Sequence, residues 1–129
     1  MASLCELSPI SVALDEELIG IFKTEDKKRL IDTIQPEFLI IKPSFVGGIK
    51  GAATWMNFVK QNGGYYWVTS ALESNVGLNA IAQWTYILNN DMPQGLGTGS
   101  LFTNNISSPL IVKNGTLQYD TNLNWDFNF

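Results

Sequence analysis

The chain has 129 residues, of which 45% are hydrophobic and 16% are charged, and its net charge is −4 at neutral pH. This composition is typical of one globular domain with a hydrophobic core. The acidic balance and the lack of a basic patch exclude a nucleic-acid partner, and apolar runs of four or five residues are too short for a membrane span.

The sequence contains no histidine, which excludes Ser-His-Asp triads and histidine-bound zinc. Any chemistry must therefore use carboxylates, lysines, hydroxyls or backbone groups. The single cysteine, Cys5, cannot form an internal disulfide, which fits a reducing compartment. The segment after Met1 lacks the basic start of a signal peptide. We therefore expect a cytoplasmic protein.

Short apolar segments alternate with helical patterns along the first hundred residues, in the order βαβαβαβ. Strands are predicted at 10–14, 38–41, 65–69 and, weakly, 94–96, and helices at 24–35, 48–61 and 75–89. This order predicts an α/β fold with parallel strands and right-handed crossovers. The remainder is rich in Asn, Ser, Thr and Gly, and its Asn114-Gly115 turn predicts a hairpin of strands 109–113 and 116–119.

Helical spacing also predicts which face of each helix is buried, and Thr24 is predicted to cap the first helix. The expected inward residues are Leu30, Ile31 and Ile34 in the first helix, Ile49, Ala52, Ala53, Met56 and Val59 in the second, and Ala80, Ile81, Trp84, Ile87 and Leu88 in the third.

Each predicted strand ends in a polar or bare-backbone position: Asp15, Lys42, the pair Thr69 and Ser70, and Gly95. The carboxyl ends of parallel strands form one face of an α/β fold, where binding sites are built. We therefore expect these positions to converge around one ligand. Plainer interpretations stay open, because acids after strands are often solvated, strand-end lysines are often on the surface, and hydroxyls can simply satisfy backbone groups.

Four stretches together resemble a known family: ALDEELIG (13–20), IIKPSFVGG (40–48), TSALESNVGLNAIAQ (69–83) and MPQGLGTG (92–99). They are similar to the C-terminal half of the barrel in the enolase superfamily, in particular the o-succinylbenzoate synthase family. The resemblance implies an α/β fold in which residues 1–100 are strands five to eight of a TIM-type (β/α) barrel. It implies that residues 101–129 form a C-terminal tail, bearing the hairpin, that returns toward a capping domain.

The resemblance also implies roles for the strand-end residues. Asp15 matches a magnesium-binding carboxylate at the end of barrel strand five. Lys42 matches a catalytic lysine at the end of strand six, facing the substrate. The positions implied to bind substrate are Thr69, Ser70, Gly95 and Leu96.

The implied activity is the Mg²⁺-dependent dehydration of 2-succinyl-6-hydroxy-2,4-cyclohexadiene-1-carboxylate to o-succinylbenzoate in menaquinone biosynthesis, on a small-molecule carboxylate substrate. Two alternatives stay open. The first is an N-acylamino-acid racemase or dipeptide epimerase of the same superfamily. The second is a noncatalytic α/β module that binds a partner through an open sheet edge.

Parts of the family's machinery are missing from the sequence. It has no Lys-x-Lys motif, and the two other metal carboxylates of the family are absent. We therefore expect the isolated chain to be inactive, and to pair with an N-terminal half-barrel or to self-associate through open barrel edges. The apolar residues expected to be left uncovered are Phe45, Trp55, Tyr65 and Trp67.

Overall fold

A computed structural model of the protein describes residues 1–128, and the chain divides after Thr69 into two units. The first unit contains α1 (Ala2–Leu7), β1 (Ala13–Leu14), α2 (Thr24–Ile34), β2 (Phe38–Ile41), α3 (Gly48–Gln61) and β3 (Tyr65–Val68). It also has short 3-10 helices at Glu16–Leu18 and Pro43–Phe45. The second unit contains α4 (Asn75–Ile87), β4 (Leu110–Lys113) and β5 (Thr116–Tyr119).

The first unit is organised by a three-stranded sheet in the order β1-β2-β3, and both pairings are parallel. Strand β2 lies in the middle, pairing Leu39 with Leu14 on one side and with Tyr66 on the other. Parallel neighbours need a crossover between them, and α2 and α3 provide it. The predicted parallel α/β arrangement is thus confirmed.

Two predicted strands differ in the structure. The first is only Ala13–Leu14, because the Ser8 hydroxyl forms a turn with the Ile10 backbone and leaves Ile10 75% exposed. The segment 94–96 is not a strand within the part of the chain that the structure describes. There, Gly95 alone is a bridge residue, and its carbonyl accepts a long hydrogen bond, at 3.4 Å, from the Ser70 backbone N–H.

Helices α2 and α3 follow the prediction closely. Helix α3 has the predicted bounds, and the predicted Ala52, Met56 and Val59 are buried, but Ile49 is exposed. Trp55, which was expected to be uncovered, is wholly buried in the same helix. Thr24 is the first residue of α2 rather than its cap, and Lys23 precedes it without a side-chain cap.

Helix α4 buries a different face from the one predicted. Ile81 and Trp84 are buried as expected, but Ile87 is 75% exposed at the last turn. The buried stripe instead includes Leu78 and Thr85, which lie three before and four after Ile81 and so share its face. Ala80 is exposed.

The second unit contains the predicted hairpin. Strands β4 and β5 pair antiparallel from Leu110 opposite Tyr119 to Lys113 opposite Thr116. Asn114 and Gly115 both have positive φ, 52° and 73°, as a two-residue type I′ turn requires. The hairpin prediction is confirmed. Over residues 1–128, no helix combines the length and apolarity needed to cross a bilayer.

Candidate functional site

The first unit brings two of the strand-end residues into direct contact. The Lys42 ammonium donates a hydrogen bond to Oδ2 of Asp15 at 2.8 Å and lies 2.8 Å from Oδ1 as well. The Lys42 side chain is 18% exposed and that of Asp15 is 35% exposed. This is an ion pair that is partly withdrawn from water yet still open on one side.

The local backbone explains why these side chains meet. Asp15 directly follows β1 and Lys42 directly follows β2, and the two strands are parallel neighbours. After Lys42 the chain turns at once, because Pro43 begins a 3-10 helix and the Phe45 N–H donates to the Lys42 carbonyl at 2.9 Å. A fixed φ at proline favours such an abrupt exit. The lysine is therefore held at the sheet edge.

Two further acids surround Asp15. Oε1 of Glu16 lies 4.0 Å from the Lys42 ammonium and is well exposed, and the Glu17 carboxylate accepts a hydrogen bond from the Asp15 N–H at 3.3 Å. The lysine is thus the one cation held among three consecutive acids. The cluster is net negative, so the ammonium can act on a ligand only at short range, from the side that stays open to solvent.

Thr69 lies at the same sheet edge. Its N–H donates to the Ile41 carbonyl at 2.9 Å, which continues the β2–β3 pairing to the residue just before Lys42. The strand ends of the first unit therefore lie on one edge, as parallel pairing demands.

In the second unit, Ser70 is buried and its hydroxyl is already engaged. Its Oγ lies 2.6 Å from Oγ1 of Thr98 and accepts the Leu72 N–H at 3.2 Å. The Gly95 carbonyl accepts the Ser70 N–H, and Leu96 is buried. The serine therefore supports the loops of this unit through both its backbone and its side chain.

The sequence reading missed two polar groups that organise the loops. Thr98, within GLGTG, is the hydroxyl partner of Ser70. Asn105 accepts the Asn75 N–H at 2.8 Å through its side chain and donates to the Gly99 carbonyl at 2.9 Å. The glycine-rich sequence around Thr98 could have indicated a functional loop. No local pattern marks Asn105, because its partner Asn75 lies 30 residues away in the sequence.

The described residues do not by themselves fit a magnesium ion. Within residues 1–128, no group of three or more His, Cys, Asp or Glu could hold a metal, and Mg²⁺ requires near-octahedral oxygen coordination. Asp15 offers one carboxylate, whose Oδ2 already accepts the lysine hydrogen bond. Its Oδ1 lies 2.8 Å from the same ammonium, so the lysine engages both oxygens of the carboxylate. Further oxygen ligands would have to come from outside this chain.

Solved enzyme structures share this fold. A muconate lactonizing enzyme from Pseudomonas putida superposes with a TM-score of 0.73 at 18% identity, over 90% of this chain and 32% of that one. That likeness shows the fold alone. No protein-family model matches the chain.

More particularly, the chain is 51% identical over 117 residues to a curated o-succinylbenzoate synthase of Desulfotalea psychrophila, covering 91% of this chain and 32% of that protein. The crystal structure of MenC from Desulfotalea psychrophila LSv54 superposes with a TM-score of 0.86 at 51% identity, over 90% of this chain and 32% of that one. The expected resemblance, confined to the C-terminal part of these proteins, is confirmed. The chain spans about a third of the curated relative's length.

Proposed function

We propose that this chain is the C-terminal part of an o-succinylbenzoate synthase. The proposed reaction removes water from 2-succinyl-6-hydroxy-2,4-cyclohexadiene-1-carboxylate and leaves aromatic o-succinylbenzoate, in menaquinone biosynthesis in the cytoplasm. The observation that carries this proposal is the 51% identity over 117 residues. The matched stretch includes the segments bearing Asp15 and Lys42, which the structure holds 2.8 Å apart.

In this proposal Lys42 is the catalytic residue of the chain. Loss of the proton next to the substrate carboxylate builds negative charge on an enediolate. A partly buried ammonium beside the ring would stabilise that charge, because electrostatic contacts strengthen where water is excluded. The ring face also suits a cation–π contact. The hydrogen bond to Asp15 fixes the position of the ammonium.

We propose that Thr69, Ser70, Gly95 and Leu96 bind the substrate. The Ser70 hydroxyl already contacts Thr98, so we expect Ser70 to shape the site through its backbone and Leu96 to supply apolar contact. Residues 1–100 would provide strands five to eight of the barrel, and residues 101–129 the tail that returns to a capping domain.

The missing parts would come from an N-terminal half-barrel. Enolase-superfamily enzymes are generally magnesium-dependent, and we propose that Asp15 is one of several carboxylates for that ion, the others lying outside this chain. When bound, magnesium supplies Lewis-acid stabilisation of the enediolate. Alone, the chain should be inactive and prone to self-association through its open strand edges.

Complementation tests the proposal. The chain is co-purified with the part of the Desulfotalea psychrophila relative that it does not match, Mg²⁺ is added, and the aromatic product is followed by absorbance. We expect activity from the mixture and none from either piece. Lys42→Ala should lower kcat by about 100-fold, as loss of one electrostatic contact to the transition state does. The exposed Lys50 of α3 gives a matched control, Lys50→Ala, which should leave kcat unchanged.

Other outcomes would overturn the proposal. A mixture that forms a stable complex but makes no aromatic product contradicts the dehydratase assignment. If that complex instead racemises an N-acylamino acid or epimerises a dipeptide, the related enzyme class is correct. A stable, monomeric isolated chain that binds no Mg²⁺ and forms no complex favours the noncatalytic module.

A further inference from the structure

A second lysine of the first unit is buried far more deeply than Lys42. Lys27, on α2, is 2% exposed, and none of the salt bridges within residues 1–128 involves it. Its ammonium donates hydrogen bonds to the carbonyls of Val46 at 3.3 Å and Gly51 at 3.0 Å. It also lies 5.3 Å from the ring centroid of buried Trp55.

Such a placement needs an explanation, because an ammonium without a carboxylate partner is costly to bury. Burial lowers the pKa of Lys27 by desolvation. An apolar side chain would fill the same space without that cost, but it would leave the Val46 carbonyl without this hydrogen bond. The ammonium therefore serves to fix two backbone carbonyls, whereas filling the core would not require a charged group.

The Val46 carbonyl is held from two sides. Lys27 donates to it, and Gly51 packs so closely against it that a methyl group added at Gly51 would overlap the oxygen. The same methyl would lie 3.4 Å from the Lys27 ammonium. Helix α2, the start of α3 and the residue preceding the two glycines are thus joined at one point.

That point is connected rigidly to Lys42. The Val46 N–H donates to the Pro43 carbonyl at 3.3 Å, and the Phe45 N–H donates to the Lys42 carbonyl at 2.9 Å. Residues 42–46 are therefore a single closed turn, with the catalytic candidate at its first position and the Lys27 contact at its last.

We propose that Lys27 is a positioning residue for Lys42, holding the 42–46 turn so that the Lys42 ammonium stays on Asp15. Its effect on the ion pair is a property of this chain alone. Its consequence for catalysis rests on the proposed function, in which Lys42 faces the substrate.

The ion pair is monitored by NMR on the chain labelled with [ε-¹³C]lysine. The Lys42 signal is assigned as the one that disappears in Lys42→Arg. The measured quantity is the shift of the Lys42 signal caused by Asp15→Asn. We expect Lys27→Met to remove at least half of that response and Lys27→Arg, which keeps the donors, to preserve most of it. Lys60→Met is the matched control, because Lys60 also lies over a ring, 5.0 Å from the Tyr66 centroid, but is at the opposite end of α3 from the 42–46 turn.

A folded Lys27→Met chain with an undiminished Lys42 response overturns the proposal and leaves Lys27 a purely structural group. If Lys27→Met does not fold, Lys27→Gln, which keeps a neutral donor, is measured instead. If neither folds, Lys27 serves stability alone and the proposal is also overturned. In the complementation assay, Lys27→Met should lower kcat about tenfold with KM unchanged. An inactive wild-type mixture would contradict the proposed function but not the NMR result.

Discussion

In the first unit, lysine ammonium groups make the internal polar contacts, whereas the loops of the second unit are held mainly by amides and hydroxyls. In the first, Lys27 and Lys42 bring ammonium groups to backbone carbonyls and to Asp15. In the second, Ser70 and Asn105 fix the loops with neutral hydrogen bonds. Charges act over distance and on a ligand, while neutral contacts mainly fix the backbone. The two charged candidate residues, Asp15 and Lys42, both lie in the first unit.

The largest expected effect comes from helical glycines, one in each unit. Gly51→Ala should destabilise the protein by about 3 kcal/mol, because the new methyl overlaps the Val46 carbonyl, which two elements hold in place. This loss would exceed the gain of about 1 kcal/mol that alanine brings to a helix. Urea denaturation measures the difference.

Gly77→Ala in α4 is the matched control. Its methyl would lie 2.9 Å from the Cβ of Glu73, a far smaller overlap than the one with the Val46 carbonyl oxygen, so Gly77→Ala should cost clearly less stability than Gly51→Ala. Equal losses at the two glycines would contradict the view that the turn after Lys42 is clamped more tightly than the loop before α4.

The second-largest effect is expected from the uncharged hydrogen bonds that the Asn105 side chain makes in the second unit. Asn105→Ala should cost about 2 kcal/mol, because it strips partners from the N–H groups of Asn75 and Ile106 and from the Gly99 carbonyl. Asn122→Ala removes one exposed side-chain hydrogen bond, to Asp120, and should change stability by less than about 0.5 kcal/mol. Hydrogen exchange at Asn75 should rise in the first variant, and unchanged exchange there would argue against the network.

Local sequence patterns predicted the elements better than they predicted the polar contacts. The α3 bounds, the β2 bounds and the Asn114-Gly115 hairpin follow from periodicity and turn chemistry. The short β1 and the buried face of α4 do not, because each depends on packing that a single segment does not encode. The burial of Lys27 is the clearest example, since only the fold brings the Val46 and Gly51 carbonyls to its ammonium.

Part of the candidate site could also be predicted from the sequence. Parallel strands place their carboxyl ends together, so Asp15 and Lys42 could be expected to meet before the structure was known. The Ser70–Thr98 contact required two loops to close over each other. Strand periodicity carries no information on loop closure.

A smaller effect is expected from the ion pair itself. A double-mutant cycle with Asp15→Asn and Lys42→Met should give a coupling free energy of about 1 kcal/mol, because both groups keep some solvent contact. Raising the ionic strength should reduce this coupling. The exposed Lys28–Asp32 pair on α2 should give about 0.3–0.5 kcal/mol. Equal couplings in the two cycles would mean that the site pair gains nothing from its burial.

The smallest effect is a pH dependence from one buried group. Burial lowers the pKa of Lys27 in the folded chain below its ordinary value of 10.5, which it regains on unfolding. Between these two values the unfolded chain binds the extra proton, so the free energy of unfolding should rise with pH in that window. Below the folded pKa, the cost of burying the charge is fully present.

The difference between wild type and Lys27→Gln isolates this contribution, because the other titrating groups are common to both chains. Its slope between the folded pKa of Lys27 and 10.5 should be positive, since the neutral amine keeps two N–H donors for the Val46 and Gly51 carbonyls while the desolvation cost disappears. A negative slope would mean that the positive charge, rather than the hydrogen bonds, holds the turn. The cation–π contact with Trp55 would then be the dominant interaction, and the first unit would depend on charge even more than its ion pair indicates.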